Sequence, residues 1–221
     1  MQVFETFRSI QGEGTRAGLA TWIVRLAGCD LACAYCDTPA ARDAAAGRAA
    51  SVESLVEEID AAPLPWVLIT GGEPLLQAAE VNRLADALIG RGCAGHGPPG
   101  RGRAREVLVE TSGAHPIDLL DPRCVRIVDL KTPGSGMADR TCWRNVDLLT
   151  ERDEVKFVLT GRADYEWAKD VVRQHGLLDR ATVLFGAAAP TLEPRTLAGW
   201  ILEDRLPVRL NVQLHKVLGL P

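Results

Sequence analysis

Short runs of apolar, β-branched residues alternate along this chain with segments whose apolar positions recur at helical spacing. Residues 21–26 (Thr-Trp-Ile-Val-Arg-Leu) read as a strand, and Trp66 to Thr70 as a second. Further strands are expected at Glu106 to Val109, Val125 to Leu130, Val155 to Leu159 and Thr182 to Phe185, with a last one near Val208 to Leu214. Between the first two, Val52, Leu55, Val56 and Ile59 share a helical face behind Ser51 as N-cap. Pro74 suits a first helical turn, and Leu75, Leu84, Ala85 and Leu88 continue that helix. Other helices are expected at Trp143 to Leu149, Asp164 to Gln174 and Leu192 to Leu202. Strands joined by crossover helices predict a mainly parallel sheet. About six such units fit an open or partial barrel better than a closed eight-unit one of roughly 250 residues. Gly92 to Arg103, rich in Gly, Pro and Arg, reads as an exposed loop, and Ala40 to Ala50 as a connector or short helix. Neither an internal repeat nor an interdomain linker interrupts the pattern.

In parallel α/β architectures chemistry collects at the carboxyl ends of strands, and the polar motifs fall there. A cysteine-rich segment follows the first core strand, and Thr70-Gly71-Gly72-Glu73-Pro74 the second. Glu110-Thr111-Ser112-Gly113 follows the third, and Asp129-Leu130-Lys131 ends the fourth. Four such motifs at successive strand ends converge on one mouth.

Composition narrows the class. The 221 residues are 47% apolar and 24% charged, which suits one globular domain with a sizeable core. A formal charge of −4 gives no general electrostatic reason to bind nucleic acid. No apolar run reaches the roughly 18 residues of a membrane span, and the start lacks a signal-peptide pattern. The expected compartment is the cytoplasm, where six cysteines point to metal, redox or packing roles.

Three of the six stand as Cys29-x-x-x-Cys33-x-x-Cys36. Three thiolates on one loop can hold three corners of an iron–sulfur cluster and leave one iron open. A thioredoxin-like pair, Cys33 and Cys36, leaves Cys29 unexplained. A zinc site would need a fourth ligand, for which Cys124 or Cys142 is available. For Cys93, Cys124 and Cys142 the default is a core thiol.

The cysteine spacing after a first strand, with Gly71-Gly72-Glu73-Pro74 after the second, resembles the radical S-adenosylmethionine (SAM) superfamily. More narrowly the chain is similar to the 7-carboxy-7-deazaguanine synthases. Ser9-Ile10-Gln11-Gly12-Glu13-Gly14, Arg25, Cys36-Asp37-Thr38, Glu110 to Gly113, Asp129 to Gly136 and Gln213-Leu214-His215-Lys216 carry that likeness. The resemblance implies a single radical SAM core domain over residues 1–221. Its fold would be a partial (β/α)6 TIM-like barrel with a short N-terminal hairpin and a C-terminal segment capping the substrate. It implies a carbon–nitrogen lyase of 7-deazapurine and queuosine biosynthesis. Such an enzyme acts on 6-carboxy-5,6,7,8-tetrahydropterin, with a [4Fe-4S] cluster, SAM and Mg²⁺ as cofactors.

Roles follow residue by residue. Cys29, Cys33 and Cys36 would ligate the cluster. Tyr35, Gly72, Glu73, Ser112, Asp129 and Lys131 match SAM-contacting positions, with Glu73 accepting from the methionyl ammonium. Ile10, Gln11, Gly12, Arg25, Thr70 and Pro221 match substrate-contacting positions, with Arg25 suited to a carboxylate. Thr38 matches the magnesium ligand, where retained waters complete the ion's shell and Asp37 can orient them. No side chain stands out for proton transfer, because the hydrogen-abstracting agent is the cofactor radical. Where the family often carries a Ser-Pro stretch after the sixth strand, this chain has Gly186-Ala187-Ala188-Ala189, leaving backbone contacts to SAM. A reducing electron donor such as flavodoxin and a homodimer are also implied. Two rivals remain: a glycyl-radical activase, which shares the cysteine spacing, and a non-catalytic zinc-stabilised binding protein.

Overall fold

The computed structural model describes residues 1–93 and 103–221. Its strands are β1 (Gln2–Ile10), β2 (Ala20–Leu26), β3 (Arg48–Ala49), β4 (Trp66–Gly71), β5 (Gly92–Cys93), β6 (Arg103–Ala104), β7 (Glu106–Thr111), β8 (Val125–Asp129), β9 (Glu154–Leu159), β10 (Thr182–Ala187) and β11 (Arg209–Asn211). The helices are α1 (Val52–Ala61), α2 (Ala78–Leu88), α3 (Arg162–Gln174), α4 (Pro194–Asp204) and α5 (Leu214–Leu218). One nine-stranded sheet runs β11-β10-β9-β8-β7-β4-β2-β1-β3. From β2 to β11 all neighbours are parallel, whereas β1 pairs antiparallel with both β2 and β3. The sheet ends on β11 and β3 without closing, an open six-strand α/β core with an N-terminal hairpin on one edge and β11 on the other.

Period-two alternation sorts each core strand's side chains between two faces. Val24, Val67, Val107, Val128 and Phe157 join a large cluster with Leu55 and Ile59 of α1, Leu84 and Leu88 of α2 and Tyr165 of α3. Ile23, Leu68, Leu108, Val125 and Ile127 form a smaller cluster on the opposite, inner face with Phe7 packed against it. The Ser51 hydroxyl accepts from Ser54 N at 3.0 Å, so α1 starts where its cap predicts.

Two expected elements differ. Residues Trp143–Leu148 form 3₁₀ turns, not an α-helix. The Asn145 side chain accepts from Ile117 N and donates to the carbonyls of Gly113 and His115, tying the segment to the turn after β7. The last strand is only Arg209–Asn211, and the chain then turns into α5. The Asn211 side chain there is drawn to Gly14 N and Glu13, and Leu214 N donates to Gly12 O. Of the expected loop from Gly92 to Arg103, the two ends pair as β5 and β6, and residues 94–102 lie outside the described residues, as does the Cys93 side chain.

Candidate active site

The inner face of the sheet changes character along its strands. Ile23, Leu68 and Phe7 make an apolar floor, and two residues further along the same strands the side chains turn polar. Arg25 of β2, Thr70 of β4, Glu110 of β7, Asp129 of β8 and Lys156 of β9 therefore ring one cavity of about 470 Å³. Register keeps the ring level: Arg25 lies beside Thr70, and Asp129 beside Lys156.

On one side of the cavity sits the cysteine loop. Cys29, Cys33 and Cys36 all line it and are half-buried. Backbone bonds fix the loop: Cys29 N donates to Arg42 O, Cys36 N to Cys33 O, and Ala34 N to Ser135 O in the segment following β8. Burial, together with nearby carboxylates, pushes the Cys29 and Cys33 thiols up, so a thiolate here wants a compensating cation. Among the described residues no three His, Cys, Asp or Glu side chains close on a single metal ion. Cys124 is buried in the large cluster, away from the loop. Neither Cys124 nor Cys142 lines the cavity, so among the described residues the three loop thiols have no fourth cysteine beside them there, as a four-ligand zinc site would need.

Tyr35, Ser112, Asp129, Lys131 and Gly72 line the same side. Lys131 Nζ pairs with Asp129 Oδ2 at 2.6 Å and lies 5.9 Å from the Tyr35 ring centroid. Asp129 Oδ1 and the Tyr35 hydroxyl are buried without a hydrogen-bond partner. Gly72 passes so close to the β2 loop that a Cβ there would lie 2.0 Å from Gly28 O, so only glycine fits. Glu73 is engaged by the protein itself. Its carboxylate is fully buried, does not line the cavity, and accepts from Leu75 N, Thr111 Oγ1, Ser112 N and Ser112 Oγ. Four donors fill its acceptor positions, so it caps the Pro74 turn and aims Ser112. The backbone at Gly186 to Ala189 also lines the cavity.

Another stretch of the lining is built from both ends of the chain. Ile10, Gln11 and Gly12 leave β1 into the cavity wall, with Gln11 buried. A Cβ at Gly12 would lie 1.7 Å from His215 Nδ1, which lets α5 pack directly on this segment. Pro221 lines the cavity, and its carbonyl accepts from Ser9 Oγ at 2.7 Å. Arg25 Nε bonds Glu5 at 2.8 Å and its Nη1 donates to Thr38 Oγ1 at 3.2 Å. Thr38 in turn donates to Asp37 Oδ1 at 3.2 Å.

Sequence reasoning missed Lys156, which ties two carboxylates together in the cavity lining. Lys156 Nζ bonds Glu110 Oε1 at 2.8 Å and Glu13 Oε2 at 2.5 Å. Glu13 also accepts from Asn211 Nδ2 and Gln213 Nε2, each at 2.8 Å. The available signal was a lysine inside the otherwise apolar Val155-Lys156-Phe157-Val158-Leu159 strand.

Residues 23–128 match the model of the Radical SAM superfamily. The chain is 41% identical to the 7-carboxy-7-deazaguanine synthase of Chlorobaculum tepidum, covering 100% of this chain and 95% of that one. It is 38% identical to the synthase of Koribacter versatilis, covering 100% and 98%. The crystal structure of QueE from Escherichia coli shares the fold, with a TM-score of 0.71 over 97% of this chain and 94% of that one at 23% identity. Strand-end cysteines on an open α/β core thus mark a radical SAM protein. Within that superfamily the chain belongs to the 7-carboxy-7-deazaguanine synthase family.

A [4Fe-4S] cluster and SAM come with the superfamily, and Mg²⁺ with the family. The cavity fits them: three thiols on one loop, unsatisfied buried oxygens on Asp129 and Tyr35 awaiting a polar ligand, and Thr38 beside a carboxylate on the rim. The reaction also needs a small-molecule substrate and a reductant. Among the described residues no helix is long and apolar enough to cross a membrane.

Proposed function

We propose that the chain is a carbon–nitrogen lyase that contracts the ring of 6-carboxy-5,6,7,8-tetrahydropterin to 7-carboxy-7-deazaguanine with loss of ammonia. The observation that carries this reading is one cavity with two unlike walls. Sulfur donors and unpaired buried oxygens form one, and Arg25, Thr70 and the Ile10 to Gly12 backbone form the other.

Bound on the first wall, the cluster and SAM supply the radical that takes a hydrogen atom from the substrate. Cys29, Cys33 and Cys36 hold the cluster. Asp129 Oδ1, still unpaired, accepts from the methionyl ammonium, while Lys131 and Ser112 offer donors to its carboxylate. Tyr35 and the Gly72 backbone complete that cradle, and Glu73 holds Ser112 in place. On the second wall Arg25, steadied by Glu5 and Thr38, grips the substrate carboxylate. Ile10, Gln11, Gly12 and Thr70 meet the edge of the flat ring with backbone and hydroxyl groups. Thr38 ligates Mg²⁺ together with water and substrate oxygens, and Asp37 orients the waters. Residues 1–221 act as one domain in which α5 and Pro221 close over the substrate. The reading extends to the cytoplasm, with flavodoxin as reductant and no membrane or nucleic-acid partner. It includes a homodimer, supported by exposed Leu210 and Val212 at β11 and exposed Val217 and Leu218 on α5.

The test is anaerobic reconstitution with iron and sulfide, then reduction in the presence of SAM, Mg²⁺ and the tetrahydropterin. Product in excess of SAM consumed is expected. SAM cleavage without product would transfer the chain to another radical SAM substrate, and zinc without sulfide in the purified protein would overturn the reading.

A further inference from the structure

The ring contraction leaves proton chemistry that the cofactors do not perform. Loss of ammonia is redox-neutral. One carbon-bound hydrogen must depart as a proton, its electron pair forming the new ring double bond. The departing amine must gain a proton as its carbon–nitrogen bond breaks. We propose that Glu110 and Lys156 are the base and acid of that step, an assignment that rests on the lyase reading above.

Among the described residues lining the cavity, four lysine–carboxylate contacts occur, two of them on Lys156. Asp129 and Lys131 sit on the wall with Tyr35 and Cys33, and Asp37 and Lys216 meet at 3.4 Å on the exposed rim. Glu110 lies two residues beyond Leu108 of the apolar floor and bonds Lys156 of β9, with Thr70 next to Glu110 and Gly12 next in sequence to Glu13. The two carboxylates on Lys156 are not equivalent. Glu13 accepts from Lys156, Asn211 and Gln213, and these donors hold it ionised, its carboxyl drawn down to about 2. Glu110 has Lys156 on one oxygen and Thr70 Oγ1 at a loose 3.4 Å from the other. The charged groups facing Glu110 are Lys156 from β9, Glu13 from the β1–β2 loop and Asp129 from β8. Two of the three are negative. Burial and that excess of negative charge raise the Glu110 carboxyl despite the ammonium. Neighbouring carboxylates driven apart in this way divide their roles, one fixed as a counter-ion and the other free to take a proton.

The step balances on the enzyme. Glu110 takes the carbon-bound proton and Lys156 gives one to the departing amine, leaving a neutral acid beside a neutral amine. The proton then crosses the 2.8 Å Glu110–Lys156 hydrogen bond and restores both.

The experiment uses the reconstituted enzyme and substrate deuterated at C6. Glu110→Gln keeps the shape and the contact to Lys156. It is expected to move deuterium from substrate into SAM within about threefold of the wild-type rate, while ammonia and product form about 100-fold more slowly or worse. Glu110→Asp should recover at least tenfold of that loss, and it tests the same point where the Gln variant does not fold. Affinity for 6-carboxypterin, read by its fluorescence without turnover, should stay within threefold in both. Product formation by Glu110→Gln within threefold of wild type would overturn the proposal. So would deuterium transfer falling in step with product, the mark of a merely structural residue. A wild-type enzyme that cleaves SAM and binds the pterin but makes no product would overturn the lyase reading first, and this assignment with it.

Discussion

The two ends of the sheet carry buried charge in opposite ways. At the amino end, Asp153 accepts from Arg126 N, Nε and Nη2 and from Thr150 N and Oγ1. Its two oxygens are filled by five donors, and none of these residues lines the cavity. At the carboxyl end, Lys156 is divided between two carboxylates, Asp129 keeps one oxygen empty, and the Tyr35 hydroxyl makes no hydrogen bond of good geometry. A closed network fixes a loop to a strand, whereas an open one is completed by something that binds. Hydrogen-bond satisfaction thus distinguishes Asp153 from Asp129 where charge and burial do not, although an orphaned oxygen alone does not mark the site, since Thr141 Oγ1 is also unpartnered and lies outside the cavity lining.

The contrast breaks most visibly at Arg126. Arg126→Met strands Asp153, only 1% exposed, beside its Thr150 donors. Removing one partner of a buried pair costs about 3–5 kcal/mol, and the lower figure applies here because three donors remain. A denaturant midpoint drop of that size, with 6-carboxypterin affinity unchanged in the folded fraction, is expected. A loss below about 1 kcal/mol would show the amino-end network to be as dispensable as a surface pair.

Titration sharpens the comparison at one residue from each end, because Asp153 and Glu110 respond to pH with opposite sign. The Arg126 guanidinium and backbone donors outweigh burial and hold Asp153 below the usual carboxylate range. Its contribution is complete above about pH 3.9, the ordinary aspartate value, and fades as pH falls below that. Glu110 is held above the usual range, so the unfolded chain ionises first as pH rises past about 4.3. Ionised Glu110 therefore counts against folding at neutral pH and is relieved on acidification. Midpoints measured from pH 7 to pH 3 should show Asp153→Asn flattening the acid loss. Whatever the weakening of its bond to Lys156 costs, Glu110→Gln should gain on wild type as pH rises from 3 to 7, because only the wild-type chain carries the raised carboxyl. A stability difference that does not change with pH would place that carboxylate with the scaffold.

The sequence exposes these two ends unequally. Six core strands lie within two residues of their expected bounds, because buried parallel strands read as continuous apolar runs. The residues ringing the mouth were legible wherever a motif carried them, as at Thr70, Glu110 and Asp129. Lys156 was not, since its partners Glu13 and Glu110 stand far off in sequence and meet it only through the sheet order. At Glu73 the motif left a different matter open. A motif announces the residue but not its direction, and here the carboxylate turns inward onto Ser112. The 3₁₀ path of Trp143 to Leu148 is likewise set by the distant bonds of one side chain, Asn145.

The smallest expected effect probes the open end directly. The Tyr35 hydroxyl is buried and unpartnered, and burial with the Asp129 carboxylate nearby keeps it protonated. An unsatisfied buried hydroxyl carries a desolvation cost that its removal relieves. Tyr35→Phe therefore leaves the denaturant midpoint unchanged or raises stability by up to about 1 kcal/mol, where the loss of a satisfied hydroxyl would lower it by a similar amount. If that hydroxyl is reserved for a ligand, the same variant binds SAM several-fold more weakly on the reconstituted cluster, giving stability and affinity opposite signs in one protein. A variant less stable than wild type would mean that Tyr35 belongs with the closed networks of the amino end, and that its orphaned oxygen is no guide to the cofactor wall.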